Sequence, residues 1–236
     1  MDILSLDDQL LVVNKPPGVL AQPDHTGDAD VVTLGKERLA EDAGEPFLGP
    51  VHRLDRPASG VTVLARTTKA ARRLSAQFRD RLVEKRYLVV VEGRLRGIGT
   101  WTDYVAKPGR EPTLVAADHP DGKRAVLNWQ ALEAESDCTL LQVDLETGRP
   151  HQIRLQASHR GHPVVGDHRH GAQSSLETQA IALHHAVLRV DHPVTSRRET
   201  FVASPPGVWE SATSEPMDAA VQRTLAHAVP PDGSDS

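Results

Sequence analysis

The chain has 236 residues, of which 39% are hydrophobic and 25% charged, proportions typical of a globular protein with a sizeable buried core. The single cysteine, Cys138, excludes an internal disulfide and a cysteine-based zinc cluster, and neither a secretory signal nor a membrane-spanning apolar run is present, so we expect a soluble, cytoplasmic protein. The formal net charge of −5 is unlike that of most RNA-binding proteins, which are usually basic.

The first part of the chain predicts two short structured segments joined by loops. Residues 8–14 form an apolar strand candidate that ends at KPPG, because two prolines and a glycine force a turn. The sequence predicts a polar loop over residues 22–30 and a short helix over residues 31–40. A second loop then leads to VHRLDRPASG (residues 51–60) and the apolar run VTVLA.

The next segment, from Thr67 to about Glu84, predicts an amphipathic helix. Leu74, Phe78 and Leu82 recur every fourth residue, and the threonine at the start is a candidate N-cap. Four arginines are spread over the surface of this helix that we expect to be exposed. They are Arg72, Arg73, Arg79 and Arg81.

The second half of the chain predicts mainly strands. YLVVVEG is a buried strand candidate closed by Gly93, and further strands are expected at 124–132 and 138–145. HQIRLQASHRGHP predicts a short helix after the turn ETGRP, because Gly161 can cap its end and Pro163 prevents its continuation. VLRVDHP and ETFVASPP are late strand candidates.

Strand hairpins interspersed with a few separate helices predict an α+β fold with a mixed, mostly antiparallel central sheet flanked by helices and loops. Regular alternation of strand and helix is absent, which argues against a doubly wound fold. We expect a single domain over residues 1–212. Residues 213–236 are expected to be a C-terminal extension with a short helix followed by a disordered tail.

Positive charge is concentrated in one part of the chain. Residues 53–86 carry ten basic and three acidic side chains, whereas residues 1–50 carry three basic and ten acidic ones. A local basic field can steer a phosphate backbone toward one face of a protein whose net charge is negative. A solvated, arginine-rich helix surface explains the same run equally well.

Three motifs contain candidate functional residues, although each has an ordinary structural explanation by itself. HRLDRPASG places Asp55 near Arg53 in a turn-rich stretch, and exposed pairs of this kind are common. EKRYLVVVEG places Tyr87 at the start of a strand, where tyrosines usually pack half-buried. LETGRPHQIRLQASHRGHPVVGD places Arg154 on a short helix after a glycine turn, where arginines are usually surface residues.

Taken together, the motifs closely resemble those of the RluA-like pseudouridine synthases. HRLDxxxSG, KxY before a valine-rich strand, and TGRxHQIR followed by GHPxxGD occur in the order typical of that family. LLVVNKPPGVLAQP and ALHHAVLRVDHP also look like segments of the family, so the resemblance covers roughly residues 8–210. It implies the pseudouridine synthase fold, with an active-site cleft across the sheet.

The resemblance implies that the protein isomerises a uridine in structured RNA, a tRNA or an rRNA, after flipping the nucleotide out of the stack. Asp55 is then the catalytic carboxylate, which either attacks C1′ or removes a proton from C2′. Arg154 matches the charge partner of that carboxylate, and Tyr87 the tyrosine that stacks on the detached base. The reaction requires no cofactor and no metal. We expect a monomer that binds neither DNA nor membranes.

Other residues of the same motifs are expected to bind the substrate. Arg53 matches the arginine that occupies the gap left by the flipped base. The remaining expected substrate-binding residues are His52, Lys85, Arg149 and His151. We expect the chain to start directly at the catalytic domain, without the N-terminal S4-type module of some members of the family. Recognition of the RNA is therefore expected to come from the domain itself.

Three positions differ from the residues usual in the family. Ala58 replaces a threonine, and the loss of its hydroxyl is expected to loosen the loop of Asp55. Pro150 replaces a threonine at a helix start, where proline is well tolerated. His170 stands where a tyrosine is usual, so a contact to RNA or within the protein is expected to differ.

Two other functions remain open at this point. One is a histidine-rich metalloenzyme, because HxH and HH pairs are present, although no compact carboxylate pattern accompanies them. The histidines of these pairs are His168, His170, His184 and His185. The other is an RNA-binding protein or RNA-folding helper without catalytic activity, against which the intact motif residues argue.

Overall fold

The computed structural model describes residues 1–43, 46–109, 111–176 and 178–228. Within these residues, eleven strands form one sheet, and four α-helices and two 3-10 helices accompany it. The strands are β1 (Asp2–Leu6), β2 (Leu10–Lys15), β3 (Gly49–Pro50), β4 (Ser59–Ala65), β5 (Glu84–Glu92), β6 (Ile98–Ala106), β7 (Thr113–Val115), β8 (Lys123–Ala134), β9 (Cys138–Leu145), β10 (Leu183–Asp191) and β11 (Arg198–Val202). The helices are α1 (Val31–Ala43), α2 (Thr68–Asp80), α3 (Gln152–His159) and α4 (Glu215–Ala226), and the 3-10 helices are His168–His170 and Gly207–Ser211.

The sheet has the order β1-β2-β4-β10-β5-β9-β8-β6-β7, with β11 paired to β10 and β3 paired to β4. Strands β4 and β10 run parallel, and the other named pairs between described strands are antiparallel. This arrangement confirms the predicted α+β class with a mixed, mostly antiparallel sheet. No helix in the described ranges is long and apolar enough to cross a lipid bilayer.

Strand β2 is covered on both faces. Leu10 and Val12 of β2 belong to the same cluster as Leu74 of α2. Leu11 and Val13, which point to the opposite face because side chains alternate along a strand, pack in the cluster that contains residues of α1. Burial on both faces explains why β2 is an almost uninterrupted apolar run rather than an alternating one.

The largest core cluster lies against the central strands β5 and β9 and includes residues of α3 and α4. Met217, Val221 and Leu225 form the buried side of α4 in this cluster. A helix therefore exists within the predicted extension 213–236 and packs on the same core as the preceding residues. The predicted disordered tail, PPDGSDS at residues 230–236, lies outside the described residues.

Helix α2 begins as predicted but ends earlier. The Thr67 side chain caps its N-terminus by accepting a hydrogen bond from a backbone amide of the first turn. The predicted end near Glu84 is wrong, because Arg81 adopts a left-handed conformation (φ 61°) and terminates the helix after Asp80. Leu82 consequently lies beyond the helix and is 56% exposed, although its spacing had placed it on the apolar face.

Several strands differ from the sequence-based expectation. Strands β1, β6 and β7 were not predicted, and they lie at or near the two edges of the sheet. Strand β10 begins at Leu183, four residues before the predicted VLRVDHP, because His184 and His185 hide its buried pattern in the sequence. Strand β11 ends at Val202, so the proline-containing end of ETFVASPP is not part of it.

The parallel pair at the centre of the sheet depends on Gly60. Its φ is +120°, and a Cβ atom placed there would lie 2.3 Å from the carbonyl oxygen and 2.5 Å from the amide nitrogen of His185. Backbone atoms cannot move aside without separating β4 from β10, so only glycine fits at this position.

We predict that Gly60→Ala lowers the free energy of unfolding by at least about 3 kcal/mol, because steric overlap adds to backbone strain. The matched control is Gly97→Ala, since Gly97 also has a positive φ (+91°) but nothing within 4 Å of a Cβ atom. The control should lose about 1–2 kcal/mol from strain alone. Urea denaturation measures the free energy of unfolding of both variants. Equal losses would show that the close contact between β4 and β10 adds nothing to the cost of the substitution.

Candidate active site

The loop between β3 and β4 carries Asp55 and is held by backbone hydrogen bonds to two other segments. The amide of Gly18 donates to the carbonyl oxygen of Arg56 at 2.8 Å, and the amide of Ile181 donates to that of Pro57 at 3.1 Å. These bonds tie the loop to the turn after β2 and to the segment before β10. The position of Asp55 is therefore set by parts of the chain that are distant in sequence.

The same loop contains the Ala58 departure from the family pattern. The Ala58 side chain is fully buried in the main core cluster. Beside it, the Ser59 hydroxyl lies 2.8 Å from Nδ1 of His184, whose Nε2 lies 3.0 Å from the carbonyl oxygen of Ala203. Since a carbonyl oxygen only accepts, Nε2 donates and the Ser59 hydroxyl donates to Nδ1. The loop thus retains a hydroxyl anchor next to Ala58.

Asp55 forms an ion pair with Arg154 of helix α3. Nη1 of Arg154 donates to Oδ2 of Asp55 at 2.9 Å. The rest of the guanidinium is occupied by Asp167, because Nε and Nη2 donate to its two carboxylate oxygens at 2.7 and 2.8 Å. Arg154 and Asp167 are only 4% and 1% exposed. The predicted pairing of Asp55 with Arg154 is present in the structure, whereas the role of Asp167 was not anticipated, although it ends the third motif.

The charges in this cluster compensate one another. Burial acts to lower the pKa of Arg154, but the hydrogen bonds and charge of Asp167, together with Asp55, raise it above its usual value. The arginine is therefore a permanent cation beside Asp55. No hydrogen bond from the described residues occupies Oδ1 of Asp55, so this oxygen remains available for chemistry.

His151 is the second basic side chain next to Asp55. Its Nε2 lies 4.0 Å from Oδ2 of Asp55, and its Nδ1 lies 3.1 Å from Nε2 of His170. The backbone of His151 has a positive φ (52°) directly before helix α3. A non-glycine residue in this conformation is uncommon and is held there by its surroundings. Burial is the main cause that lowers the pKa of both histidines.

Tyr87 of β5 belongs to a group of four packed rings, two pairs of which are stacked. Its ring stacks on that of His185 with centroids 4.6 Å apart, and the ring of His52 meets His185 edge-on. Phe78 of α2 stacks on the other side of His52 at 4.6 Å. Burial, with a smaller contribution from the charge of Asp55, raises the pKa of Tyr87, which keeps it a neutral phenol. Stacking on His185 fixes the plane of the Tyr87 ring.

His52 is bound to the protein by its own ring nitrogen. Its Nε2 accepts a hydrogen bond from the amide of Val63 at 3.0 Å, and burial lowers the pKa of His52 to about 4. The imidazole is therefore neutral at physiological pH. It contributes to the wall of the site as an uncharged ring.

Two depressions meet at Asp55. The first has a volume of about 740 Å³ and the second about 520 Å³. Both are lined by Arg53, Leu54, Asp55, His151 and Arg154. The carboxylate is therefore accessible from either side of a shared ridge.

The second depression is strongly basic. Its cationic lining residues are Arg53, Arg79, Arg81, Lys85, Arg149 and Arg154, against the acidic Asp55 and Glu146. Burial and the nearby charge of Arg81 lower the pKa of Lys85 to about 8 and also lower the pKa of Arg149. Cations that depress one another's pKa in this way favour the binding of an anion such as a phosphate group.

The structure brings all eight residues that the sequence singled out to this depression. They are His52, Arg53, Asp55, Lys85, Tyr87, Arg149, His151 and Arg154. Arg53 is exposed, and none of the described residues forms an ion pair or a hydrogen bond with its guanidinium. Part of the basic segment 53–86 therefore lines the functional site instead of facing bulk solvent alone.

Lys15 is a site residue that the sequence analysis missed. Its side chain is fully buried, and Nζ donates to the carbonyl oxygens of Pro16, Val19 and Arg56 at 3.0, 2.8 and 3.2 Å. Burial lowers the pKa of Lys15 to about 7, and the charge of Asp55 acts in the opposite direction. Its position at the end of the buried strand β2, at the start of KPPG, was the available signal. Lys15 ties the turn after β2 to the loop of Asp55.

The histidines that suggested a metalloenzyme do not form a ligand set in the described part of the chain. The ring nitrogens of His168 contact protein groups instead, because they lie 2.9 Å from the Ala172 carbonyl oxygen and 3.0 Å from the Ser175 hydroxyl. His184 and His185 are fully buried in β10. The cluster of metal-binding residue types found among described residues, Glu135, Asp137 and Cys138, contains no histidine.

Comparison with known proteins identifies relatives of the whole domain. The profile of a family described as RNA pseudouridylate synthase matches residues 9–159. Ribosomal large subunit pseudouridine synthase D of Vibrio parahaemolyticus is 32% identical over 220 residues, covering 87% of this chain and 67% of the relative. The protein of the same name from Xylella fastidiosa is 36% identical over 222 residues, covering 87% and 66%. The chain thus spans about two thirds of the length of these relatives.

Solved structures show the same fold. Human RNA Pseudouridylate Synthase Domain Containing 4 superimposes with a TM-score of 0.73 at 22% identity, covering 95% of this chain and 93% of that one. Human RNA Pseudouridylate Synthase Domain Containing 1 gives a TM-score of 0.71 at 23% identity, covering 98% and 96%. At these identities the likeness establishes the fold.

We predict that Asp167→Asn lowers the free energy of unfolding by about 3 kcal/mol, because it leaves the buried cation of Arg154 without its bidentate partner. The matched control is Asp144→Asn. Asp144 also pairs with an arginine, Arg86, at 2.9 Å, but both side chains are about a third exposed or more. Exposed pairs contribute little, so the control should lose less than about 1 kcal/mol in urea denaturation. Similar losses in both variants would contradict the importance of the buried cluster.

Proposed function

Because this chain belongs to the RNA pseudouridylate synthase family, it is an RNA pseudouridine synthase, and we propose that Asp55 is its catalytic carboxylate. The observation that carries this proposal is the position of Asp55 at the ridge between two depressions, held on Oδ2 by the buried Arg154. The family relationship supports catalysis over an RNA-binding role without turnover and over a metalloenzyme.

The reaction converts a uridine into its C–C linked isomer without any change in composition. The base is detached from C1′, rotated, and rejoined through C5. Asp55 either attacks C1′ to form an ester or removes a proton from C2′ to give a glycal. Both routes require an ionised carboxylate, and the guanidinium of Arg154 at 2.9 Å favours that form. The proposal assigns this chemistry to the residues described above and involves no cofactor.

The second depression is the proposed binding site for the flipped nucleotide. Tyr87 offers one flat face, while His185 packs against its ring from the other side, so the ring is pre-organised for stacking on a base. The surrounding cations provide contacts for the phosphates on either side of the nucleotide. Arg53, which is exposed and unpaired among the described residues, is the proposed group that fills the gap left in the RNA.

The proposed substrate is a uridine in ribosomal RNA of the large subunit. The names of the similar proteins from Vibrio and Xylella support this choice over tRNA. A monomer acting in the cytoplasm is the proposed context, and the free thiol of Cys138, whose pKa burial raises to about 11, is compatible with a reducing compartment.

Asp55→Asn is expected to lower the rate of pseudouridine formation by at least about 10³-fold, because the amide has the same shape but no nucleophilic or basic oxygen. The measurement is release of tritium from RNA that contains [5-³H]uridine, since C5 exchanges its hydrogen for the bond to C1′. RNA binding, measured by filter retention, should persist. Asp118→Asn, at an exposed carboxylate outside both depressions, is the control. Turnover by Asp55→Asn at the parent rate would refute the proposed role.

Mapping of pseudouridine in cells with and without the protein identifies the substrate. We expect at least one position of the large-subunit rRNA to lose its pseudouridine, and expression of the parent chain, but not of Asp55→Asn, to restore it. Loss of a pseudouridine in tRNA alone would contradict the proposed rRNA substrate while leaving the enzymatic activity intact.

A further inference from the structure

The contact between His151 and His170 is not explained by the roles proposed so far. His151 lines both depressions and lies 4.0 Å from Asp55 through its Nε2. Its other ring nitrogen contacts Nε2 of His170 at 3.1 Å, and the two rings meet edge-on at 88°. His170 is in turn fixed by the Ser158 hydroxyl, which donates to its carbonyl oxygen. The imidazole of His151 is thus oriented toward the carboxylate.

The isomerisation contains a proton transfer that needs a base. When C5 of the uracil bonds to C1′, C5 still carries its hydrogen and the ring has lost its C5=C6 double bond. Removal of that hydrogen as a proton restores the double bond. The ester route and the glycal route both end in this step, so the requirement does not depend on the choice between them.

Few groups near Asp55 can accept this proton. Arg154 is a cation, and Lys15 directs its amine hydrogens to three carbonyl oxygens. Tyr87 remains a phenol because its pKa is raised. His52 is also a neutral imidazole, but its Nε2 already accepts a hydrogen bond from the amide of Val63. His151 is therefore the candidate nitrogen base next to the carboxylate, and Asp55 itself is the alternative acceptor.

We propose that His151 accepts the C5 proton on its Nε2, while its Nδ1–H group donates a hydrogen bond to Nε2 of His170. The C5–H bond breaks, the proton passes to Nε2, and the electron pair restores the C5=C6 double bond. The charge that reaches N1 of the uracil is then neutralised by the proton from the imidazolium, so the product has the composition of the substrate. This inference rests on the proposed function of Asp55.

The surroundings of His151 fit this role. In the proposed tautomer His151 carries its hydrogen on Nδ1, 3.1 Å from Nε2 of His170, so the lone pair of the neutral imidazole lies on Nε2, which is 4.0 Å from Asp55. After proton transfer, the imidazolium lies within ion-pair distance of the carboxylate. The other charged groups that act on the two rings are Arg154, Asp167, Arg169 and Glu111. Burial holds the pKa of His151 below its usual value, which keeps the base neutral at pH 7.

Substitutions at position 170 test the hydrogen bond to His151. A tyrosine at this position offers a phenol oxygen that can accept the same Nδ1 hydrogen. His170→Tyr should therefore retain activity within about threefold, whereas His170→Phe, which has no acceptor, should lose at least about tenfold. Equal losses of activity in the two variants would show that the hydrogen bond between positions 151 and 170 does not contribute to the proton transfer.

The decisive variant is His151→Gly. Glycine is unstrained at the positive φ of this position and opens space for a small molecule. We expect tritium release from [5-³H]uridine RNA to fall by at least about 100-fold and to be partly restored by added imidazole. Ser196→Gly, also at a positive φ (58°), controls for the backbone effect and should retain the parent rate. His151→Gln, which preserves volume but lacks a basic nitrogen, should lose as much activity as His151→Gly.

The pH profile separates a base from a structural residue. In the parent, kcat should fall as pH decreases through the lowered pKa of His151, because only the neutral imidazole accepts a proton. In the rescued variant, this acidic limb should follow the pKa of whichever substituted imidazole is added. If His151 had a purely structural role, the apparent pKa of the acidic limb would not depend on which imidazole is added.

The outcomes separate this inference from the proposed function. If the parent releases tritium, Asp55→Asn does not, and His151→Gly equals the parent, then His151 is not the base and Asp55 takes the proton itself. A loss in His151→Gly that no imidazole restores also overturns the proposal, because it assigns His151 to structure. Absence of tritium release by the parent protein would instead reject the proposed function.

Discussion

The active site depends on the buried guanidinium of Arg154. A cation that is only 4% exposed is tolerated only where carboxylates compensate it, and here two of them do so. Asp167 takes one edge of the guanidinium with two hydrogen bonds, which leaves Nη1 for Asp55. The pair joins the loop before β4 to helix α3, almost one hundred residues later, and thereby fixes the orientation of the Asp55 carboxylate.

The central strands supply the rest of the site around this pair. Strand β10 lies between β4, which follows Asp55, and β5, which carries Tyr87. Close contact at Gly60 brings β4 against β10, and His185 of β10 supports the Tyr87 ring. Sheet order therefore determines the distance between the carboxylate and the aromatic ring that the two motifs contribute separately.

The sequence pointed to residues that the structure brings together and to one contact among them, between Asp55 and Arg154, but not to the other contacts. The motifs identified Asp55, Tyr87 and Arg154, and the structure places all three at one depression. Asp167 and Lys15 were missed because a buried charge looks like any surface charge in a sequence until its partner is known. The expected amphipathic helix 67–84 ends after Asp80 because Arg81 is left-handed, and strands β1, β6 and β7 were not predicted.

The sequence by itself determined the α+β class, the basic character of segment 53–86, the start of helix α2 and the family of the protein. These features are local, because periodicity, caps and motifs are properties of residues close together in the chain. Only the tertiary structure decided that His184 and His185 are buried in a strand, that Asp167 completes the pair of Asp55 and Arg154, and that His151 meets His170. Such contacts follow from strand order and from the compensation of buried charge, which no local pattern encodes.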